Sequence, residues 1–192
     1  VSQTVKACRA LCADVEFVVD DATRSELGFL VQILDAAIAA GATTVTLCDT
    51  AGTSLPGEFA AFVEKLQADL PALSSVSLGV CCANTLSMAD ACVVAAVSQG
   101  AGELKTAAHP LDTASLITVA RLLAARGDAM GVSCGIRTAQ LSRAAEQVAW
   151  VCQPGKGKAA AAAAAEEDGS FLTAHDDAAA VSLAVQKLGY DL

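Results

Sequence analysis

Residues 76–83 alternate at period two: Val76, Leu78, Val80 and Cys82 are bulky and apolar, whereas Ser77, Gly79, Cys81 and Ala83 are small or faintly polar. Successive side chains of a strand point to opposite faces, so this stretch has one bulky face and one small one. It turns directly into a helical pattern after Asn84. A buried strand that feeds a helix in this way suits a parallel barrel, with the bulky face against an outer helix and the small face toward the interior. Similar units occupy 14–40 and 43–69 before it and 102–125 after it. The expected fold is therefore α/β, a partial (β/α)8 TIM barrel of about four units with a trailing helical segment.

The 192 residues suffice for a sizeable core, and an apolar fraction of 54% with few aromatics makes that core mostly Ala, Val and Leu. A net charge of −9 argues against nucleic acid and anionic membrane as partners, because both reward Lys and Arg patches. There is no charged-then-apolar leader and no unbroken apolar run of spanning length. The eight cysteines show no Cys-x-x-Cys pair, so free thiols in a reducing cytoplasm are expected. The chain opens at Val1 without methionine, inside a helical pattern, and reads as a piece of a longer protein.

A helix is expected over 1–12, with Val5, Ala7, Cys8, Leu11 and Cys12 on its apolar side, followed by a strand at 15–18. There Val15 and Phe17 point outward and Glu16 and Val18 inward. An inward carboxylate is costly unless paired or bound to something, so Glu16 is either a site residue or half of an ion pair with a barrel lysine or arginine. Asp20, Asp21 and Arg24 lie in the loop at that strand's carboxyl end, where capping and a surface salt bridge are the alternative to a binding role. A helix from Ser25 to Ala40 closes at Gly41. In the strand at 43–49, Val45 and Leu47 face outward while Thr44, Thr46, Cys48 and Thr50 face inward.

Pro56 opens a helix carrying Phe59, Phe62, Val63 and Leu66 on one face. A further helix over 86–100 puts Met88, Ala91, Cys92, Ala95 and Ala96 on its apolar side. The last strand, 103–107, contains Lys105, which must either pair with a carboxylate such as Glu16 or meet an anionic ligand. His109, in the loop that follows, is read first as an exposed loop histidine and second as an acid–base group. Helices are expected at 113–125, stopped by Gly127, and through Val151 with Leu141, Ala144, Ala145, Val148 and Val151 as a stripe. The domain reading is a barrel portion at 1–152, a low-complexity linker at 153–170 and the start of a small subdomain at 171–192, where His175 belongs to a capping turn.

The segments Val15-Glu16-Phe17, Asp20-Asp21-Ala22-Thr23-Arg24, Ala40-Gly41-Ala42, Asp49-Thr50-Ala51-Gly52 and Asn84-x-Leu86-x-Met88-Ala89 resemble the later half of the catalytic barrel of 2-isopropylmalate synthases, homocitrate synthases and their lyase relatives. The resemblance covers about residues 1–152 in order and register, and makes these units the C-terminal four of the barrel. It implies an acyltransferase that joins an acyl-CoA to a 2-oxo acid, with the threonine of the Asp-Thr-x-Gly turn near the oxo acid. It also implies a divalent metal, Mg²⁺ or Mn²⁺, acting as Lewis acid and template.

The family holds that metal with the two histidines of His-x-His-Asn-Asp. Cys81 and Ala83 stand in their places, and Thr85 replaces the aspartate. A thiol suits soft metals and a methyl binds nothing, so no metal ligand is expected here. The glycine-rich turn with Gly-Glu-Arg that the family carries after its last strand here is also missing. The candidates that remain are Glu16 and Lys105 as catalytic residues, and Arg24, Thr50, Cys81 and Asn84 as substrate-binding residues. Two readings stay open: a synthase-like acyltransferase with an altered or metal-free site, and a non-catalytic relative that binds a metabolite or a partner subunit. Four units leave two open strand edges, so either further units of the same protein or a second copy of the chain is expected to close the barrel, and a homo-oligomer is the expected assembly.

Overall fold

The computed structural model describes residues 1–109 and 112–152; the expected linker, the subdomain with His175, Pro110 and Leu111 lie outside the described residues. In chain order these form α1 (Ser2–Leu11), β1 (Glu16–Val19), a 3-10 turn (Ala22–Arg24), α2 (Leu27–Ala39), β2 (Thr44–Asp49), α3 (Pro56–Asp69) and a second 3-10 turn (Pro71–Ser75). There follow β3 (Ser77–Cys82), α4 (Ala89–Val97), β4 (Glu103–Leu104), α5 (Leu116–Met130) and α6 (Thr138–Cys152). The strands make one sheet in the order β1-β2-β3-β4, all parallel, as a barrel segment requires.

Register fixes the two faces. Glu16 lies beside Thr44 and Thr44 beside Ser77; Thr46 lies beside Gly79 and Gly79 beside Glu103; Cys48 lies beside Cys81. These residues share the inner face, as the alternation requires. On the other face Val45, Leu47, Leu78, Val80 and Cys82 meet Leu30 and Leu34 of α2, Phe59, Val63 and Leu66 of α3, and Ala89, Cys92, Val93 and Ala96 of α4 in one buried cluster. The helix residues recur every three to four positions, so each helix covers the sheet with one stripe. Among the described residues β1 and β4 are paired on one side only. No helix of the described residues is long and apolar enough to cross a membrane.

Several helix ends depart from the expected ones. Glu26, not Ser25, caps α2, its carboxylate accepting from the N–H groups of Gly28 and Phe29. Helix α4 begins at Ala89 rather than 86, because Asn84 Oδ1 accepts from Ala89 N–H at 3.2 Å and Ser87 takes a left-handed φ of 56°. Its buried stripe is then Ala89, Cys92, Val93, Ala96 and Val97, while Met88 and Ala91 face solvent. Gly127 does not stop α5. It is buried inside the helix, where a Cβ would lie 2.6 Å from the Val132 carbonyl oxygen, and the helix ends at Gly131, φ 70°.

Three further expectations are narrowed. Of the stripe expected on α1 only Val5 is buried, against Ala37, Ala40 and Ala42, and Leu11 is 90% exposed. On α6, Leu141 and Ala145 are buried but Val148 and Val151 are not. The last strand shrinks to Glu103–Leu104; Lys105 N–H still donates to Val80 O, and Ala107 then bridges to Ser115.

Candidate functional site

The inner face carries its charges at the two outer strands, β1 and β4, and just past the end of β4. Glu16 opens β1, and its Oε1 lies 2.8 Å from Lys105 Nζ, across β2 and β3. It also accepts the Thr46 hydroxyl proton, while Lys105 pairs in addition with Glu103. Gly79 leaves the room for this: a Cβ there would stand 2.2 Å from Thr46 Oγ1. Hydrogen bonds from Lys105 and Thr46 hold the Glu16 carboxyl below its ordinary range, and Glu103 and Glu16 hold the Lys105 ammonium above its own. Of the alternatives left open for both residues, the structure thus displays the ion pair between them.

A pH dependence follows from those directions. The lowered Glu16 value contributes stability above the ordinary carboxylate pKa that is lost as pH falls through the folded value; the raised Lys105 value contributes below the ordinary lysine pKa and is lost as pH rises through its folded value. Both side chains are one-third exposed, so solvent screening limits the pair to under about 1 kcal/mol. In Lys105→Met the Glu16 carboxyl is expected to titrate at higher pH, read by carbon NMR of the side chain. An unchanged titration would contradict the pairing.

At the carboxyl ends of the strands the loops are built by short polar contacts. Asp21 takes a left-handed φ of 56° and grips Arg24 with both oxygens, at 2.7 and 2.8 Å. Arg24 is 66% exposed, so the guanidinium stands at the surface of the loop. Thr50 Oγ1 accepts from Asp21 N–H at 2.8 Å, tying the first loop to the second. Asn84 donates its N–H to Asp112 O at 2.8 Å and caps α4 with its side chain, tying the third loop to the fourth. His109 is exposed.

Two features escaped the sequence reading. Asp49, at the end of β2 on the helix side, is 1% exposed and accepts from Thr23 Oγ1 (3.0 Å), Gly52 N–H (3.2 Å) and Ser54 N–H (3.1 Å). An aspartate at an outward strand position is a signal in itself, since burial there demands partners. The second is that Cys48 and Cys81 are direct neighbours on the inner face. Interaction with Cys48, helped by the Lys105 charge, outweighs burial and lowers the Cys81 thiol to about 7, while interaction with Cys81 and burial push Cys48 up. Both cysteines were placed inward from sequence; aligning the ends of the two strands would have paired them.

The residues present do not fit a hard divalent cation. The inner position of Cys81 offers a thiol, Ala83 offers a methyl, and no cluster of three or more His, Cys, Asp or Glu side chains among the described residues can hold an ion. A separate cleft of about 240 Å³ lies beside β4 and α5, lined by Leu104, Leu116, Val119, Leu123 and Ile136. None of the residues described above lines it.

The chain is similar in sequence to 2-isopropylmalate synthases and in fold to HMG-CoA lyases and to the carboxyl transferase domain of pyruvate carboxylase. Over 148 residues the chain is 34% identical to 2-isopropylmalate synthase of Carboxydothermus hydrogenoformans, covering 75% of this chain and 29% of that protein. It is 35% identical over 140 residues to 2-isopropylmalate synthase of Pyrococcus furiosus, covering 71% and 28%. The chain therefore spans less than a third of the length of these relatives. The fold superposes on the HMG-CoA lyase of Brucella melitensis with a TM-score of 0.66 at 16% identity, over 80% of this chain and 57% of that one. Residues 1–148 match the family described as HMGL-like, and the chain belongs to it.

Proposed function

We propose that this chain is the later part of the barrel of a cytoplasmic 2-isopropylmalate synthase-like acyltransferase, which joins an acyl-CoA to a 2-oxo acid in a Claisen-type condensation, at a site without the family's histidine-held metal. What carries the reading is the 34% identity over 148 residues to proteins of that name. Arg24 is the cation for the oxo acid's carboxylate. Thr50 already accepts one backbone N–H and keeps its own proton for a substrate oxygen. Asn84 and Cys81 line the same strand ends, and Glu16 with Lys105 are the acid–base candidates, held together as an ion pair.

One observation favours the second reading, a relative that binds a metabolite or a partner subunit without catalysis: the carboxylates and ammonium of the inner face already satisfy one another. The full-length protein decides between them. With acetyl-CoA and a panel of 2-oxo acids, thiol release is expected with at least one acid and is expected to persist after chelation of divalent metals. Release that chelation abolishes would overturn the metal-free site. No release with any acid, with or without Mg²⁺, Mn²⁺ or Zn²⁺, would overturn the acyltransferase and leave the binding role, to be read by calorimetry with the same acids.

A further inference from the structure

We propose that Cys48 and Cys81 form a paired-thiol modification site, in which Cys81 attacks a low-molecular-weight disulfide and Cys48 resolves the product. The proposal stands apart from the acyl-transfer reading. Its geometric basis is register: the two residues are partners on adjacent parallel strands and project from the same face. Neighbouring strands lie about 4.8 Å apart, within the span of about 4.4–6.8 Å between Cα atoms that a disulfide bridges. Cys82 and Cys92, the other buried cysteines, lie on the helix side of the sheet and Cys92 Sγ is engaged with Ser54 O at 3.2 Å.

Exposure and charge assign the roles. Cys48 is 6% exposed and Cys81 is half-buried, so a reagent entering along the inner face meets Cys81 first. Lys105 favours the Cys81 thiolate, and the Cys81 charge in turn disfavours a thiolate at Cys48. The Cys81 thiolate attacks one sulfur of R–S–S–R, forming the mixed disulfide and releasing RS⁻. The Cys81 charge is then gone, and with it the part of the raised Cys48 value that Cys81 supplies; burial is what remains to be overcome. Cys48 gives that proton to the departing thiolate or to water and attacks Cys81 Sγ, expelling a second RS⁻. Two protein thiols are oxidised to one disulfide and one small disulfide is reduced to two thiols, a balanced two-electron exchange.

The test treats full-length protein with oxidised glutathione near pH 7 and maps its cysteines by peptide mass spectrometry, with exposed Cys8 and Cys12 as internal comparisons. A thiol of pKa near 7 is expected to react about threefold faster than an ordinary one of about 8.5, once its lower nucleophilicity is allowed for. The expected product in the native sequence is a Cys48–Cys81 linked peptide without glutathione. In Cys48→Ala the adduct is expected to stay on Cys81, and in Cys81→Ala Cys48 is expected to remain reduced. A lasting glutathione adduct on Cys81 of the native protein, or Cys81 reacting no faster than Cys8 and Cys12, would overturn the proposal. The native-sequence map is decisive even where a variant folds poorly.

Discussion

Replacing Asp49 by alanine is expected to destabilise the barrel by about 2–4 kcal/mol, since hydrogen bonds to a charged group contribute about 1.5–3 kcal/mol each and solvent takes up part of the loss. The carboxylate is buried and receives the Thr23 hydroxyl and the N–H groups of Gly52 and Ser54. Alanine leaves the Ser54 N–H without the acceptor it has in the native turn, takes one of two acceptors from Gly52 N–H, which also points at the Asp49 carbonyl at 3.2 Å, and frees the Thr23 hydroxyl. The Ser54 N–H and the Thr23 hydroxyl are half-buried, so each donor stripped costs toward the low end of about 1–3 kcal/mol. Thermal unfolding of the full-length protein should show the barrel transition lowered by roughly 10 °C. Asp49→Asn keeps the shape and one acceptor oxygen but turns an NH₂ toward a donor, so an intermediate loss is expected. A loss under about 1 kcal/mol for alanine would mean that water replaces the carboxylate, and the turn is then not organised by it.

The same aspartate shows where reading a sequence stops. Alternation in 43–49 and 76–83 placed Val45, Leu47, Leu78 and Val80 against the helices and Thr46, Cys48, Gly79 and Cys81 inside. Both placements hold, because period two is a local property of the backbone and a slip of one residue would expose the whole apolar set. Asp49 sits on the apolar side of that pattern, and its partners come from a loop 26 residues earlier and from the turn that follows it. No periodicity carries that information. The bounds of α2, α4 and α5 moved for a related reason: Glu26, Asn84 and Ser115 cap through side chains whose choice of N–H depends on the loop's path.

Glu16 and Lys105 were legible to a different depth. The inward position of Glu16 follows from strand parity, and burial energetics demands a partner or a ligand for it. That the partner is Lys105, 89 positions later, depends on how the sheet brings β4 back across β3. The family resemblance points to the turn after β2 and implies that Cys81 and Ala83 of β3 and its end stand where the family has two imidazoles. It could not show that the thiol has a second thiol beside it, because that pairing belongs to the register of two strands and not to either motif.

Gly52→Ala carries the other large expected effect, because two independent penalties fall on one atom. Gly52 has φ 64°, a left-handed conformation that costs an L-residue about 1–2 kcal/mol. The added Cβ would also stand 2.4 Å from the Ala83 carbonyl oxygen and 2.8 Å from its carbon, and both are backbone atoms that no rotamer change can clear. Crowding of this kind adds about 1–3 kcal/mol, so a total near 2–5 kcal/mol is expected. The strain is directed at the end of β3, where Ala83 N–H donates to Asp49 O and Asn84 begins the next turn. Loss of stability should therefore be accompanied by a rise in KM for the oxo acid if Thr50 and Asn84 hold it. Gly57→Ala is the matching control, since Gly57 lies in the first turn of α3 and an added Cβ there meets nothing within 4 Å. It is expected to stabilise by about 0.5–1 kcal/mol through the unfolded chain and helix propensity. Opposite signs from the same chemical change, five positions apart, separate the packing of the two loops from any general intolerance of alanine; equal signs would refute the close approach of Gly52 to β3.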